Sequence, residues 1–213
     1  MTMMKPELLS PAGSMDSLKA AVNSGCDAVY LGGKKFGARA YAGNFDLQEL
    51  EEVCDYCHLR GVKVYVTVNT VYKDEELKEF LAYIKDLYEM GVDALIMQDA
   101  GAAKLVREHF PDFPLHASTQ MTCNSLADVK YWESQGFNKI VLSRELSTEE
   151  IKYITANVDA EIDKCVTALL NTSSHTMIER INKRSEELEQ QKKALNGSIM
   201  DNFLTKELFL ELV

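Results

Sequence analysis

The residues best placed to do chemistry lie in one stretch, PLHASTQM, from Pro114 to Met121. It begins as an apolar strand and ends in His116, Ser118, Thr119 and Gln120, with Asn124 and Ser125 opening a helix just beyond. Alternation along a strand puts His116, Ser118 and Gln120 on one side. A hydrogen-bonding cluster at the carboxyl end of a strand is where α/β folds keep their sites. Other strand ends supply the rest of the candidate set. Asp99 and Glu145 join His116 as acid/base candidates. Tyr30, Arg39, Asn69, Gln98, Ser118, Gln120 and Arg144 are candidates for substrate binding. Arg144 is expected to be buried against Asp99 or Glu145, either as an anion clamp or as a purely structural pair. The same residue types also serve as helix caps and solvated turns, so the pattern alone does not separate the two uses. Glu7 starts its strand and belongs at the opposite rim.

The elements that must position these groups repeat one phrase, in which a helix closes at Gly and an apolar strand follows at once. It occurs as GCDAVYLGG from Gly25, GVKVYVTVN from Gly61, GVDALIMQD from Gly91 and GFNKIVLSR from Gly136. Near-continuous apolar strands fit a parallel sheet covered on both faces. The spacing predicts strands over 7–12, 28–32, 63–69, 94–98 and 139–143, with a fifth strand opening the 114–121 stretch. Helices are predicted over 15–24, 47–60, 75–90, 102–110, 126–135 and 148–155, with Asp46, Asp74 and Ser147 among the caps. Six βα units fall two short of a closed (β/α)₈ barrel. The GxGxxG turn of a dinucleotide fold is absent after the first strand, where the sequence is SPAGS. The fold class is therefore α/β, an incomplete TIM-type barrel over residues 1–160 followed by a helical tail over 161–213.

Bulk properties narrow the function classes. A net charge of −10 argues against a broad nucleic-acid surface, leaving a short basic strip at Lys34, Lys35 and Arg39. Five cysteines without framework spacing suit a reducing cytoplasm. Cys54 and Cys57 form a CxxC inside a helix, where core packing is the plainer reading than redox chemistry. No metal-ligand spacing is present, nor HExxH or GxSxG. No run is long enough to span a membrane. The expectation is a cytoplasmic protein without a metal site.

Residues 6–158 resemble the amino-terminal part of the U32 peptidase family, the collagenase-like proteases. The resemblance rests on PELLSPAGSMDSLKAAVNSGCDAVYLGGKKFGARAYAGNF, HLRGVKVYVTVNT, MGVDALIMQDAG, FPLHASTQMTCNS and KIVLSRELSTEEI, in that order. It implies a TIM-type barrel with added domains. It also implies either peptide hydrolysis or hydroxylation of tRNA or rRNA bases, with His116 as acid/base or binding group and Arg144 as anion clamp. Members of the second kind hold an iron–sulfur cluster on four cysteines. Here AEIDKCVTALLNTSSH replaces the expected cluster segment, so no cluster ligand and no cofactor is carried over. A non-catalytic remnant is the rival expectation. The tail, LLNTSSHTMIERINKRSEELEQQKKAL, loosely resembles the coiled-coil region of large serine recombinases, with Ser185 and Lys192 breaking its heptad seam. Homodimerisation through that tail or an open barrel edge is the corresponding partner expectation, beside a peptide or RNA substrate.

Overall fold

The computed structural model describes residues 6–38 and 44–158. The chain divides into two compact units, residues 1–22 with 26–169, and residues 23–25 with 170–213. The sheet lies in the first unit. The tail, its heptad seam, Arg39 and Cys165 lie outside the described residues.

Six strands and six helices alternate. The strands are β1 (Leu9–Pro11), β2 (Ala28–Gly32), β3 (Lys63–Val68), β4 (Ala94–Met97), β5 (Leu115–Ala117) and β6 (Lys139–Ile140). The helices are α1 (Met15–Asn23), α2 (Leu47–His58), α3 (Leu77–Glu89), α4 (Ala100–His109), α5 (Leu126–Ser134) and α6 (Thr148–Asn157). All pairings are parallel and sequential, in the order β1-β2-β3-β4-β5-β6. This is the incomplete TIM-type barrel, with β1 and β6 as its edges.

Local chemistry sets the element boundaries. Gly25, Gly61, Gly91 and Gly136 close four helices with φ between 69° and 85°, where a Cβ would be strained. Asp46, Ser125 and Ser147 each cap a helix and close a box with Glu49, Asp128 and Glu150. Two helices start elsewhere than expected. Helix α3 starts at Leu77 behind Glu76 rather than behind Asp74, because Lys73 N–H donates to the Glu76 carboxylate and holds that turn outside the helix. Helix α4 starts two residues early, because Asp99 caps it through a bond from Ala102 N–H. Strands β1 and β6 are also shorter than their apolar runs. Past β6 the pairing survives as one bridge between Cys123 and Leu142.

The two faces of the sheet bury different sets. Val29, Leu31, Val64, Val66, Leu95, Met97 and Leu115 join the helices in the main core. Ala28, Tyr65, Ala94 and Ile96, with Leu9 and Tyr30 against them, form a smaller cluster on the opposite, lumen face. Burial on both faces is why these strands read as continuous apolar runs.

Candidate functional site

The lumen is built from alternate strand residues. Ile96 pairs with His116, and His116 pairs with Lys139, so three strands contribute to one layer. His116 is 5% exposed, and its ring meets Tyr65 edge-on at 4.6 Å between centroids. Burial, reinforced by the charges of Lys139 and Lys63, pushes its pKa down to about 3. The imidazole is therefore neutral at physiological pH. Neither ring nitrogen has a hydrogen-bond partner among the described residues.

Beneath it lies a charged floor. Lys139 Nζ donates to Glu7 Oε1 at 2.6 Å and to the Tyr65 hydroxyl at 3.0 Å. The Tyr65 hydroxyl in turn donates to Glu7 Oε1 at 2.9 Å, and Lys63 Nζ stands 3.5 Å from Glu7 Oε2. Burial alone would raise the Glu7 carboxyl. The Lys139 bond and charge, the Tyr65 hydroxyl and Lys63 outweigh that and hold it below its usual range. Glu7 thus sits with the first residues of β3 and β6, at the rim away from the strand ends.

The mouth is cross-braced by hydrogen bonds between loops. Asn69 Oδ1 accepts from Ala38 N–H at 3.1 Å, and its amide nitrogen makes a long contact of 3.5 Å to Ser118 Oγ. Thr70 Oγ1 donates to Phe36 O, and Thr67 Oγ1 to Leu31 O. Phe36 holds φ at 63°, an uncommon conformation for a bulky residue, while its ring packs on Tyr72, Phe80 and Tyr83. Asp99 ties the loop after β3 to α4, since Oδ2 accepts from Tyr72 N–H and Oδ1 from Ala102 N–H.

The candidate residues accordingly fall into groups. Tyr30 in β2, Gln98 just past β4 and His116 in β5 lie in step with the lumen face, and their side chains have no hydrogen-bond partner among the described residues. Asn69, Ser118 and Asp99 are spent on bracing and capping. Ser118 caps a single 3₁₀ turn over Thr119–Met121, so the strand alternation stops there and Gln120 is exposed. Arg144 and Glu145 are both exposed. The expected buried pair with Arg144 is not formed, because β6 ends early and the chain leaves the sheet before reaching it. Lys34 is paired with Asp46 at 2.8 Å and Lys35 with Glu79 at 2.5 Å, which offsets the charge of the basic strip.

Sequence alone did not reveal the Glu7–Lys139–Tyr65 set. Its signal was a lysine at the first position of an otherwise apolar strand. His58, at the end of α2, places its Nε2 2.9 Å from Asp93 Oδ2, the same oxygen that accepts from Val64 N–H.

The described cysteines do not fit an iron–sulfur cluster. Cys26, Cys54, Cys57 and Cys123 are buried free thiols. Burial pushes Cys26 and Cys54 up to about 12, and Cys57 and Cys123 up to about 11, so none is a ready thiolate in the unligated fold. No group of three or more potential metal ligands occurs among the described residues. No described helix is long and apolar enough to cross a membrane.

Comparison with known proteins agrees with the fold. The tRNA hydroxylation protein P of Escherichia coli is 44% identical over 162 residues, covering 76% of this chain and 36% of the relative. The 23S rRNA 5-hydroxycytidine C2501 synthase of the same organism is 43% identical over 157 residues, covering 74% of this chain and 23% of the relative. An uncharacterized protease, MJ0090, of Methanocaldococcus jannaschii is 37% identical over 166 residues, covering 76% and 40%. The chain therefore spans about a third to a half of the length of the tRNA hydroxylation proteins it matches. The solved U32 peptidase Mk0906 shares the fold at a TM-score of 0.60 and 16% identity, over 75% of this chain and 68% of that one. The family model described as peptidase family U32 matches residues 13–177, and the chain belongs to that family.

Proposed function

We propose that this chain is the barrel portion of an RNA-base hydroxylation protein, and that its lumen receives the base. The observation that carries the reading is the series of relatives named for tRNA or rRNA hydroxylation. The lumen supports it with groups suited to a flat, uncharged, hydrogen-bonding ring. Tyr30 offers an aromatic face and a hydroxyl, Gln98 offers an amide, and His116 stays neutral and offers one donor and one acceptor. Replacing C–H by C–OH on a base is a two-electron oxidation. These side chains bind and orient the ring; they do not supply the oxidising equivalents. The acidic surface and the paired lysines at the mouth fit a division of labour, in which phosphate contacts come from the rest of a longer protein.

Peptide hydrolysis is the second reading, favoured by the family's name and by the relative named as a protease. It asks for a nucleophile or water activated by a base held by a third group. Among the described residues His116 has no carboxylate partner, Ser118 and Asp99 are engaged elsewhere, and Glu145 is exposed.

Mass spectrometry of nucleosides from total tRNA and rRNA separates the two. Deleting the gene should remove a hydroxylated nucleoside, wild-type gene should restore it, and a His116→Ala gene should not. Unchanged nucleosides in the deletion strain, with peptide cleavage lost, would replace this reading by the second.

A further inference from the structure

Among the described residues β1 and β6 are the two edges of the sheet, and in a flat sheet they would stand about 24 Å apart, at ~4.8 Å for each of the strand spacings between them. Yet a carboxylate just before β1 and an ammonium on the first residue of β6 meet at 2.6 Å. They meet on the lumen side, and the shared third partner is the hydroxyl of Tyr65, from β3 in the middle of the sheet. Lys139 is 7% exposed and Glu7 15% at the side chain, so water competes little for either. The Lys139 ammonium also stands 5.0 Å from the Tyr65 ring centroid.

We propose that Glu7, Tyr65 and Lys139 form a floor brace that ties β1 to β6 across the lumen and holds the six described strands at barrel curvature. A closed barrel gets its curvature from an unbroken ladder of backbone hydrogen bonds. Here one side-chain ion pair, relayed through a tyrosine, joins β1 to β6 on the lumen side. The brace stands at the amino-terminal rim, opposite the mouth. It also sets the spacing of His116 from Tyr65. The brace is independent of what the lumen binds, so its failure would leave the RNA reading standing.

Full-length Glu7→Gln, Lys139→Met, Tyr65→Phe and Glu7→Gln/Lys139→Met chains test it by thermal unfolding. Breaking one side of a buried pair leaves the other charge uncompensated, so each charge variant should lose about 6–12 °C in Tm. Tyr65→Phe should lose about half as much. The double variant leaves no buried orphaned charge, since Lys63 is half exposed, and should recover several degrees over the worse single variant. The His116 ring-proton NMR signals, shifted by the Tyr65 ring, should move toward unshifted values in the single charge variants. Single variants as stable as wild type would overturn the brace. So would a double variant no better than the worse single one, or charge variants that leave the His116 signals in place.

Discussion

Acidification should destabilise this barrel through His116, and the size of the effect is set by its burial. In the folded chain the imidazole titrates at about 3, against 6.5 when exposed. Between those values the unfolded chain binds the proton and the folded chain does not, so stability falls as pH falls. Relative to neutral pH, the linkage costs about 2 kcal/mol at pH 5 and about 3 kcal/mol at pH 4. Glu7 acts in the same direction, because its carboxyl is held low in the fold and its contribution disappears as pH drops through that lowered value. Wild type must therefore be compared with a variant that lacks only the imidazole. Phe fits the requirement, since His116 spends no hydrogen bond and packs its ring edge-on to Tyr65. Urea unfolding followed by circular dichroism from pH 7.5 to 4 should give diverging curves. His116→Phe should gain about 2 kcal/mol on wild type by pH 5, with the two separated least at pH 7.5. Parallel curves would refute the buried, neutral imidazole. A wild type more stable at pH 5 than at pH 7.5 would do so as well.

Particular contacts set three further outcomes. Asp99→Ala removes the cap of α4 and orphans Tyr72 N–H, and should cost about 1–3 kcal/mol in urea unfolding. Gly33→Ala would place a Cβ 1.9 Å from the Tyr83 hydroxyl, so the ring must leave its site, and the loss should be about 2–3 kcal/mol with a lower Tm. Ellman's reagent at pH 8 should label at most one of the five thiols in the native chain and all five in urea, because the four described ones are buried with raised pKa values.

The fold was legible because each βα unit announces itself. Gly25, Gly61, Gly91 and Gly136 mark helix ends, and strands that are apolar on both faces come directly after them. Caps such as Asp46 and Ser147 were legible for the same local reason. The site was less so. Asn69, Asp99 and Ser118 have the types a binding site needs, yet their bonds go to other loops, and that choice depends on where the loops meet. Arg144 belongs inside only if β6 continues toward it, whereas β6 ends at Ile140 and a single bridge at Leu142 follows. The Glu7–Lys139 pair joins residues 132 positions apart and has no local signature. Only the curvature of the finished sheet brings the two together.

The central claim is a lumen whose hydrogen-bonding groups, Tyr30, Gln98 and His116, meet a base. Photocrosslinking of the full chain to tRNA carrying 4-thiouridine, with peptide mapping of the products, tests this most directly. Crosslinks confined to the peptides holding Tyr30, Gln98 or His116, and lost on competition with unlabelled tRNA, are the predicted result. Crosslinks only on the outer helices α1 to α6, or none at all, would contradict it.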